Sequence, residues 1–131
     1  MTSIESGQRR PTVLVADDNQ DITRLVEKRL RFRGYDVRTV PDGNQALAAI
    51  RADHPDIVVL DWVMPGMQGP AVCETLKDDP ETASIPVVLL TARAHEDDVA
   101  GGFARGADEY LTKPFDVDEL DQVLRRLLAV T

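Results

Sequence analysis

A single cysteine leaves Cys73 nothing to pair with inside the chain, which excludes an internal disulfide and a cysteine-built metal site; the residue reads as a small core side chain on a helix. No apolar run approaches the ~20 residues that cross a bilayer, which argues against membrane insertion. Residues 1–10 are polar, with a basic pair at Arg9-Arg10, and lack the apolar stretch of a signal peptide. They are expected to form a disordered leader, and the chain is expected to stay in the cytoplasm. Basic charge is also short. Lys and Arg number 15 against 23 Asp and Glu, and a net charge of −8 argues against direct binding to nucleic acid, because phosphate contacts need clustered cations. Internal repeats, low-complexity tracts and linkers are absent, so residues 11–131 read as one domain. Its length suffices to bury roughly two-thirds of the unfolded surface in one core.

What is present is a strict alternation of strand and helix. The run Asp56-Ile57-Val58-Val59-Leu60-Asp61 has four aliphatic residues between two acids, the pattern of a central parallel strand covered on both faces. Pro65 and Gly66 cannot extend a ladder, so Asp61 is expected at the strand's C-terminal tip, facing a loop. Thr12-Val13-Leu14-Val15-Ala16 is a first strand ending in Asp17-Asp18. Asn19 or Asp18 can cap the helix after it, whose Ile22, Leu25, Val26 and Leu30 fall at helical spacing until Gly34. Tyr35 to Val40 alternates with period two, as an edge strand does. Asp42 with Gln45 forms a capping box for a short second helix that ends near His54-Pro55.

Gly69-Pro70 opens a third helix with Val72 and Leu76 inward, and Ile85 to Leu90 is a fourth strand ending in Thr91. A fourth helix is expected from Glu96 to Gly106, weakened by Gly101-Gly102 at about 1 kcal/mol per glycine. Glu109-Tyr110-Leu111-Thr112 makes a fifth strand, closed by Lys113-Pro114. Asp116 with Glu119 caps a last helix that buries Leu120, Val123, Leu124, Leu127 and Leu128, with Arg125-Arg126 suiting its C-terminal dipole. The fold class is α/β, a doubly wound parallel sheet with right-handed crossovers.

Four strand tips then deliver Asp17-Asp18, Asp61, Thr91 and Lys113 to one edge of the sheet, the edge where open α/β sheets bind ligands. Clustered carboxylates repel one another unless a cation joins them, and an all-oxygen set suits Mg²⁺. An ammonium and a hydroxyl can hold phosphoryl oxygens, and an in-line Asp61 can act as nucleophile, which is nearly all that phosphoryl transfer needs.

These residues carry a family resemblance. Val13-Leu14-Val15-Ala16-Asp17-Asp18, Ile57 to Gly66, Leu89-Leu90-Thr91-Ala92-Arg93 and Gly106 to Phe115 resemble the receiver domain of two-component response regulators. The motifs look closest to receivers of winged-helix transcription factors. The resemblance implies a flavodoxin-like (β/α)5 sheet in the order 2-1-3-4-5, and phosphorylation of Asp61 by a histidine kinase or phosphotransfer protein. It implies that Asp17, Asp18, Asp61 and the Val63 carbonyl hold Mg²⁺, that Lys113 and Thr91 contact the phosphoryl group, and that Thr91 and Tyr110 form the switch. It also implies a cis Lys113-Pro114 bond.

Rival readings share the architecture. An aspartyl phosphatase of the dehalogenase type wants a second acid two residues after the nucleophile, where Val63 stands, and a flavin-binding protein wants a Ser/Thr/Gly-rich loop where Asp17-Asp18-Asn19 stands. A phosphorylation-independent interaction module would be expected to lack one of the reactive residues, and none is missing. Trp62 reads equally as packing or as a reporter of metal binding; His54 and His95 read as solvated helix ends. Signalling to an effector is expected through the fourth helix, fifth strand and fifth helix. There Asp108, Glu109 and Glu119 lack evident basic partners, since Val99, Ala100, Gly101 and Val123 stand where the resemblance to winged-helix-type receivers implies arginines, so the domain is expected to be a monomer or weak dimer when unmodified.

Overall fold

In the computed structural model, residues 10–92 and 105–129 are described. The elements are β1 (Thr12–Ala16), α1 (Gln20–Phe32), β2 (Asp36–Val40), α2 (Gly43–Asp53), β3 (Ile57–Asp61), α3 (Gly69–Asp78), β4 (Val87–Thr91), β5 (Glu109–Thr112) and α4 (Val117–Ala129). All strands pair in parallel in the order β2-β1-β3-β4-β5, which puts β3 at the centre and the alternating β2 at an edge. The helix expected from Glu96 to Gly106 falls largely outside the described residues, as do Arg93, His95 and the leader.

The unbroken apolar run of β3 is explained by its two coverings. Val58 and Leu60 pack into one core with Ala46 and Ile50 of α2 and Val72, Cys73 and Leu76 of α3. Ile57 and Val59 pack into the other with Val26 and Leu30 of α1 and Leu120 and Leu124 of α4. A strand buried on both sides has no use for alternation. Cys73 is buried and free, as a core residue.

The local signals act where they stand in the chain. Asn19, not Asp18, caps α1: its Oδ1 accepts from the Asp21 and Ile22 amides at 3.0 and 3.2 Å. Gly34 takes φ +102° just past the helix, a conformation that side chains rarely adopt. The Asp116 and Glu119 box is reciprocal, at 2.8 and 3.2 Å. That of α2 is not: Asp42 accepts from the Gln45 amide, but Gln45 Nε2 returns to the Asp42 carboxylate rather than its amide. The Lys113-Pro114 bond is cis.

Three charged side chains find partners that the sequence reading did not assign. Arg125 and Arg126 do not merely face the α4 dipole; Arg125 Nε donates to Asp121 at 3.0 Å and Arg126 pairs with Glu109 on β5. Asp56, the acid that opens the central run, accepts from the amide and hydroxyl of Thr12 at 2.8 and 3.1 Å and so ties the base of β3 to β1.

Candidate functional site

Because β1, β3, β4 and β5 run parallel, their last residues share one edge, and neighbouring tips lie side by side by register. Ala16 faces Leu60, Asp61 faces Leu90, and Thr91 faces Thr112. The residue after each of β1 and β5, Asp17 and Lys113, is thereby carried into the same space as Asp61. Lys113 donates its backbone amide to the Thr91 carbonyl at 2.7 Å, continuing the ladder one step past β5.

One carboxylate oxygen from each of Asp17, Asp18 and Asp61 lies within 4.8 Å of the others, the one such acidic group among the described residues. Lys113 Nζ stands 2.8 Å from Asp17 Oδ2 and 3.2 Å from Asp61 Oδ1. The Asp17 carboxylate is fully buried and also accepts from the Asn19 amide at 2.9 Å. Asp18 is exposed, and Val63 stands 64% exposed at the rim. Thr91 is buried at the tip of β4. Alternation along β4 puts Thr91 on the face of Leu89, and Tyr110 of β5 packs half-buried into the core on that same face. The sequence-read residues Asp17, Asp18, Asp61 and Lys113 are thus in contact range. Tyr110 sits below Thr91's level, since its register partner is Leu89.

The electrostatics are those of an overfull acidic pocket. Burial, and then the charge of Asp17, push the Asp61 carboxyl up to about 6 against the pull of Lys113. Burial presses the Lys113 ammonium down, but its hydrogen bond to Asp17 and the charge of Asp61 outweigh this and raise it. Among the described residues, three carboxylates face one ammonium. The donor set is all oxygen, with one carboxylate open to solvent, and it fits a small hard dication that retains water.

This gives a metal-free prediction. An acid whose folded pKa is raised adds stability below its unfolded value near 4, and that contribution is lost as pH rises through about 6. Asp61→Asn should therefore raise the melting temperature of metal-free protein at pH 7.5, by an equivalent of about 1 kcal/mol once solvent screening is allowed for. The gain should shrink toward pH 4, and Mg²⁺ should stabilise the wild type more than the variant. Thermal melts in EDTA and in Mg²⁺ check this; an Asp61→Asn protein less stable than wild type in EDTA at pH 7.5 would contradict it.

Comparison with known proteins accords with this geometry. The family model for the response regulator receiver domain matches residues 13–125. The chain belongs to that family. RpaA of Synechocystis sp., named a DNA-binding dual master transcriptional regulator, is 43% identical over 121 residues, covering 92% of this chain and 50% of the relative. The response regulator PleD of Caulobacter vibrioides is 49% identical over 104 residues, 79% of this chain and 23% of the relative. The chain thus spans half the length of one curated relative and less of the other. Among solved structures, the receiver domain of a Francisella response regulator superposes with TM-score 0.86 at 33% identity, covering 92% of this chain and 98% of that one. The chemotaxis response regulator CheY4 of Vibrio cholerae gives 0.85 at 30%, covering 90% and 98%.

Receiver domains act in two-component systems, pair with histidine kinases and use Mg²⁺ at an acidic pocket, which the Asp17, Asp18 and Asp61 cluster of this receiver domain resembles. No helix of the described residues is long and apolar enough to cross a membrane. The acidic balance of this stretch does not exclude nucleic acid from the partners of such proteins, since RpaA is DNA-binding by name; that expectation is set aside.

The charge reading of the output face needs correction. Glu109 pairs with Arg126, and Asp108 accepts from Lys77 Nζ at 3.1 Å. Lys77, on α3, also donates to the carbonyls of Ala83 and Ile85. The bases stand at Arg126 of the last helix and at Lys77 of α3, the latter 31 residues from its partner, and not at positions 99–101 and 123.

Proposed function

We propose that residues 11–131 form a phosphoacceptor domain in which Asp61 takes a phosphoryl group from a histidine kinase or phosphotransfer protein. The convergence of Asp61 with Asp17, Asp18 and Lys113 at adjacent strand tips carries this reading. An Asp61 carboxylate oxygen forms the new bond to phosphorus while the bond from phosphorus to the donor imidazole breaks, and the leaving imidazole takes a proton from solvent. Asp17, Asp18, Asp61 and the Val63 carbonyl would hold Mg²⁺, which when bound supplies the positive charge that lets a dianionic donor approach. Lys113 releases Asp61 and binds an equatorial oxygen as charge spreads there. Thr91 supplies a hydroxyl to a second oxygen. Movement of Thr91 toward the phosphoryl group, with repacking of Tyr110, shifts the balance between two arrangements of the sheet face it lies on. Intact-mass measurement after incubation with acetyl phosphate tests the reading: an added phosphoryl group only in the presence of Mg²⁺ supports it, and none under either condition refutes it.

The donor's approach is suggested by an apolar cleft of about 320 Å³ that flanks Lys113, lined by Ile22, Leu25, Val26, Pro114, Phe115 and Val117. Leu25 is 49% exposed there. Leu25→Glu is expected to slow phosphotransfer from the kinase found by phosphotransfer profiling by about tenfold or more, the effect of truncating an interface anchor, while leaving labelling by acetyl phosphate unchanged. Equal loss with both donors would remove the cleft from the docking site.

Signalling to an effector runs through the face that holds β5 and the last helix. With Glu109 and Asp108 already paired inside the chain, a second copy finds few free charges there, so the unmodified domain is a monomer or weak dimer. Sedimentation with and without a beryllofluoride phosphoryl mimic checks this, and a tight dimer of the unmodified protein would contradict it.

A further inference from the structure

We infer that Gly69 is a positioning residue for Asp61: the bare first residue of α3 clamps the peptide that carries the nucleophile. The inference rests on Asp61 being the phosphoacceptor, as proposed above.

The backbone at the Asp61–Trp62 peptide is held by two hydrogen bonds and crowded at a third point. Its N–H, on Trp62, donates to the Leu90 carbonyl at 2.7 Å, the last bond between β3 and β4. Its carbonyl, on Asp61, lies so close to Gly69 that a Cβ there would stand 2.3 Å from the oxygen and 3.1 Å from the carbon. The next carbonyl, on Trp62, accepts from the Gly69 amide at 2.9 Å. One residue of α3 therefore touches the backbone on both sides of the bond by which β3 leaves the sheet. Its hydrogen bond draws the helix in, and its missing side chain lets it arrive.

The space cannot be found elsewhere. The third neighbour of such a Cβ is Leu89 Cδ2 at 3.2 Å, and Leu89 is fully buried in the core that α3 shares with β3. Since close-packed interiors transmit strain rather than absorb it, an alanine at 69 must push the Asp61 carbonyl or the whole first turn of α3 by about 1 Å to reach ordinary contact. The Asp61 peptide is the side that yields, because it ends a strand and opens a loop, whereas lifting α3 off the sheet would break the packing of Val72, Cys73 and Leu76 against Val58 and Leu60. Turning that peptide moves the Asp61 carboxylate relative to Asp17 and Lys113, whose positions are set by other strands.

Gly43 supplies the control. It opens α2, is as buried as Gly69, and is more crowded: a Cβ there would stand 1.9 Å from the Met67 carbonyl oxygen. It presses on the same loop but touches no atom of Asp61 among its nearest neighbours. A merely structural role for both glycines makes the two alanine variants alike, whereas positioning makes them differ.

The experiment compares wild type, Gly69→Ala and Gly43→Ala by melting temperature, by Mg²⁺ affinity from calorimetric titration, and by the rate of phosphorylation with acetyl phosphate. Both variants are expected to melt lower. Gly69→Ala is expected to lose roughly 10- to 100-fold in phosphorylation rate, the scale of a 1 Å misplacement of a reacting group, and to bind Mg²⁺ more weakly. Gly43→Ala is expected to keep both close to wild type. Equal losses in the two variants, or wild-type rates in Gly69→Ala, overturn the inference. Should Gly69→Ala fail to fold, trimethylamine N-oxide is added to favour burial; failure to fold even then places the strain in the core and also overturns it. A wild type that takes up no phosphoryl group refutes the proposed function instead, and the Mg²⁺ affinities of the two variants still decide the role of Gly69.

Discussion

Asp61→Asn is expected to take up no phosphoryl group from acetyl phosphate in Mg²⁺, a loss beyond about 10³-fold, because the amide lacks the anionic oxygen that attacks phosphorus. Lys113→Ala is expected to retain labelling at a rate lower by about 10²- to 10³-fold, the usual effect of removing one preorganised donor to developing charge. The two losses differ in kind. Lys113 Nζ reaches both Asp17 and Asp61, so its removal takes from the three carboxylates the cation that pairs with them among the described residues and also deprives the equatorial oxygens of a partner. Raising Mg²⁺ should recover part of the Lys113→Ala rate and none of the Asp61→Asn rate. Rates from intact mass over a Mg²⁺ series make the comparison. An Asp61→Asn protein that labels like wild type would place the phosphoacceptor elsewhere.

Asp121→Ala is expected to cost about 2 kcal/mol and lower the melting temperature by roughly 10 °C, although the residue lies away from the strand tips that form the site. The Asp121 side chain is buried, and its Oδ1 accepts from the hydroxyl of buried Tyr35 at 2.6 Å and from Arg125 Nε at 3.0 Å, while Oδ2 accepts from Arg33 Nη1 at 3.1 Å. Removing the carboxylate leaves the hydroxyl of the buried Tyr35 without this acceptor. Asp121→Asn, which keeps an acceptor, should cost less. Burial pushes the Asp121 carboxyl up, but the hydrogen bonds from Tyr35, Arg125 and Arg33 outweigh it and hold the group below the ordinary carboxylate range. Burial, with Asp121 itself, pushes the Tyr35 hydroxyl up, so Tyr35 remains the donor at neutral pH. The carboxylate's contribution is therefore present above the unfolded value near 4 and is lost as pH falls through the lower folded value. The stability gap between wild type and Asp121→Asn should hold from pH 7 to 5 and close below about pH 4. Urea unfolding at several pH values checks this, and a gap that widens in acid would contradict it.

The differences between expectation and structure have a common origin. The capping of α1 by Asn19, the stop at Gly34 and the box of Asp116 with Glu119 involve groups within a few residues of one another, and each reads correctly or nearly so from the chain. The acids of the output face do not. Lys77 meets Asp108 across 31 positions from α3, and Arg126, which reads in the sequence only as a cation for the helix dipole, meets Glu109 across 17. A charge surplus counted along one segment says little about the field on a folded face, because long cationic side chains reach across element boundaries.

The sequence by itself determined the order of the described strands and helices, the two-sided burial of β3 and the four reactive tips, because each of these follows from spacing and composition over short stretches. Parallel strands alone suffice to bring such tips to one edge. Only the tertiary structure decided how closely they meet, with Lys113 between Asp17 and Asp61, and which glycines are there for lack of a side chain. It also decided that Asp121 belongs to the interior, tied to Tyr35 across 86 positions. Those outcomes depend on distances between segments that share no local code, so they exist only once the sheet has set α3 against β3 and α4 against α1.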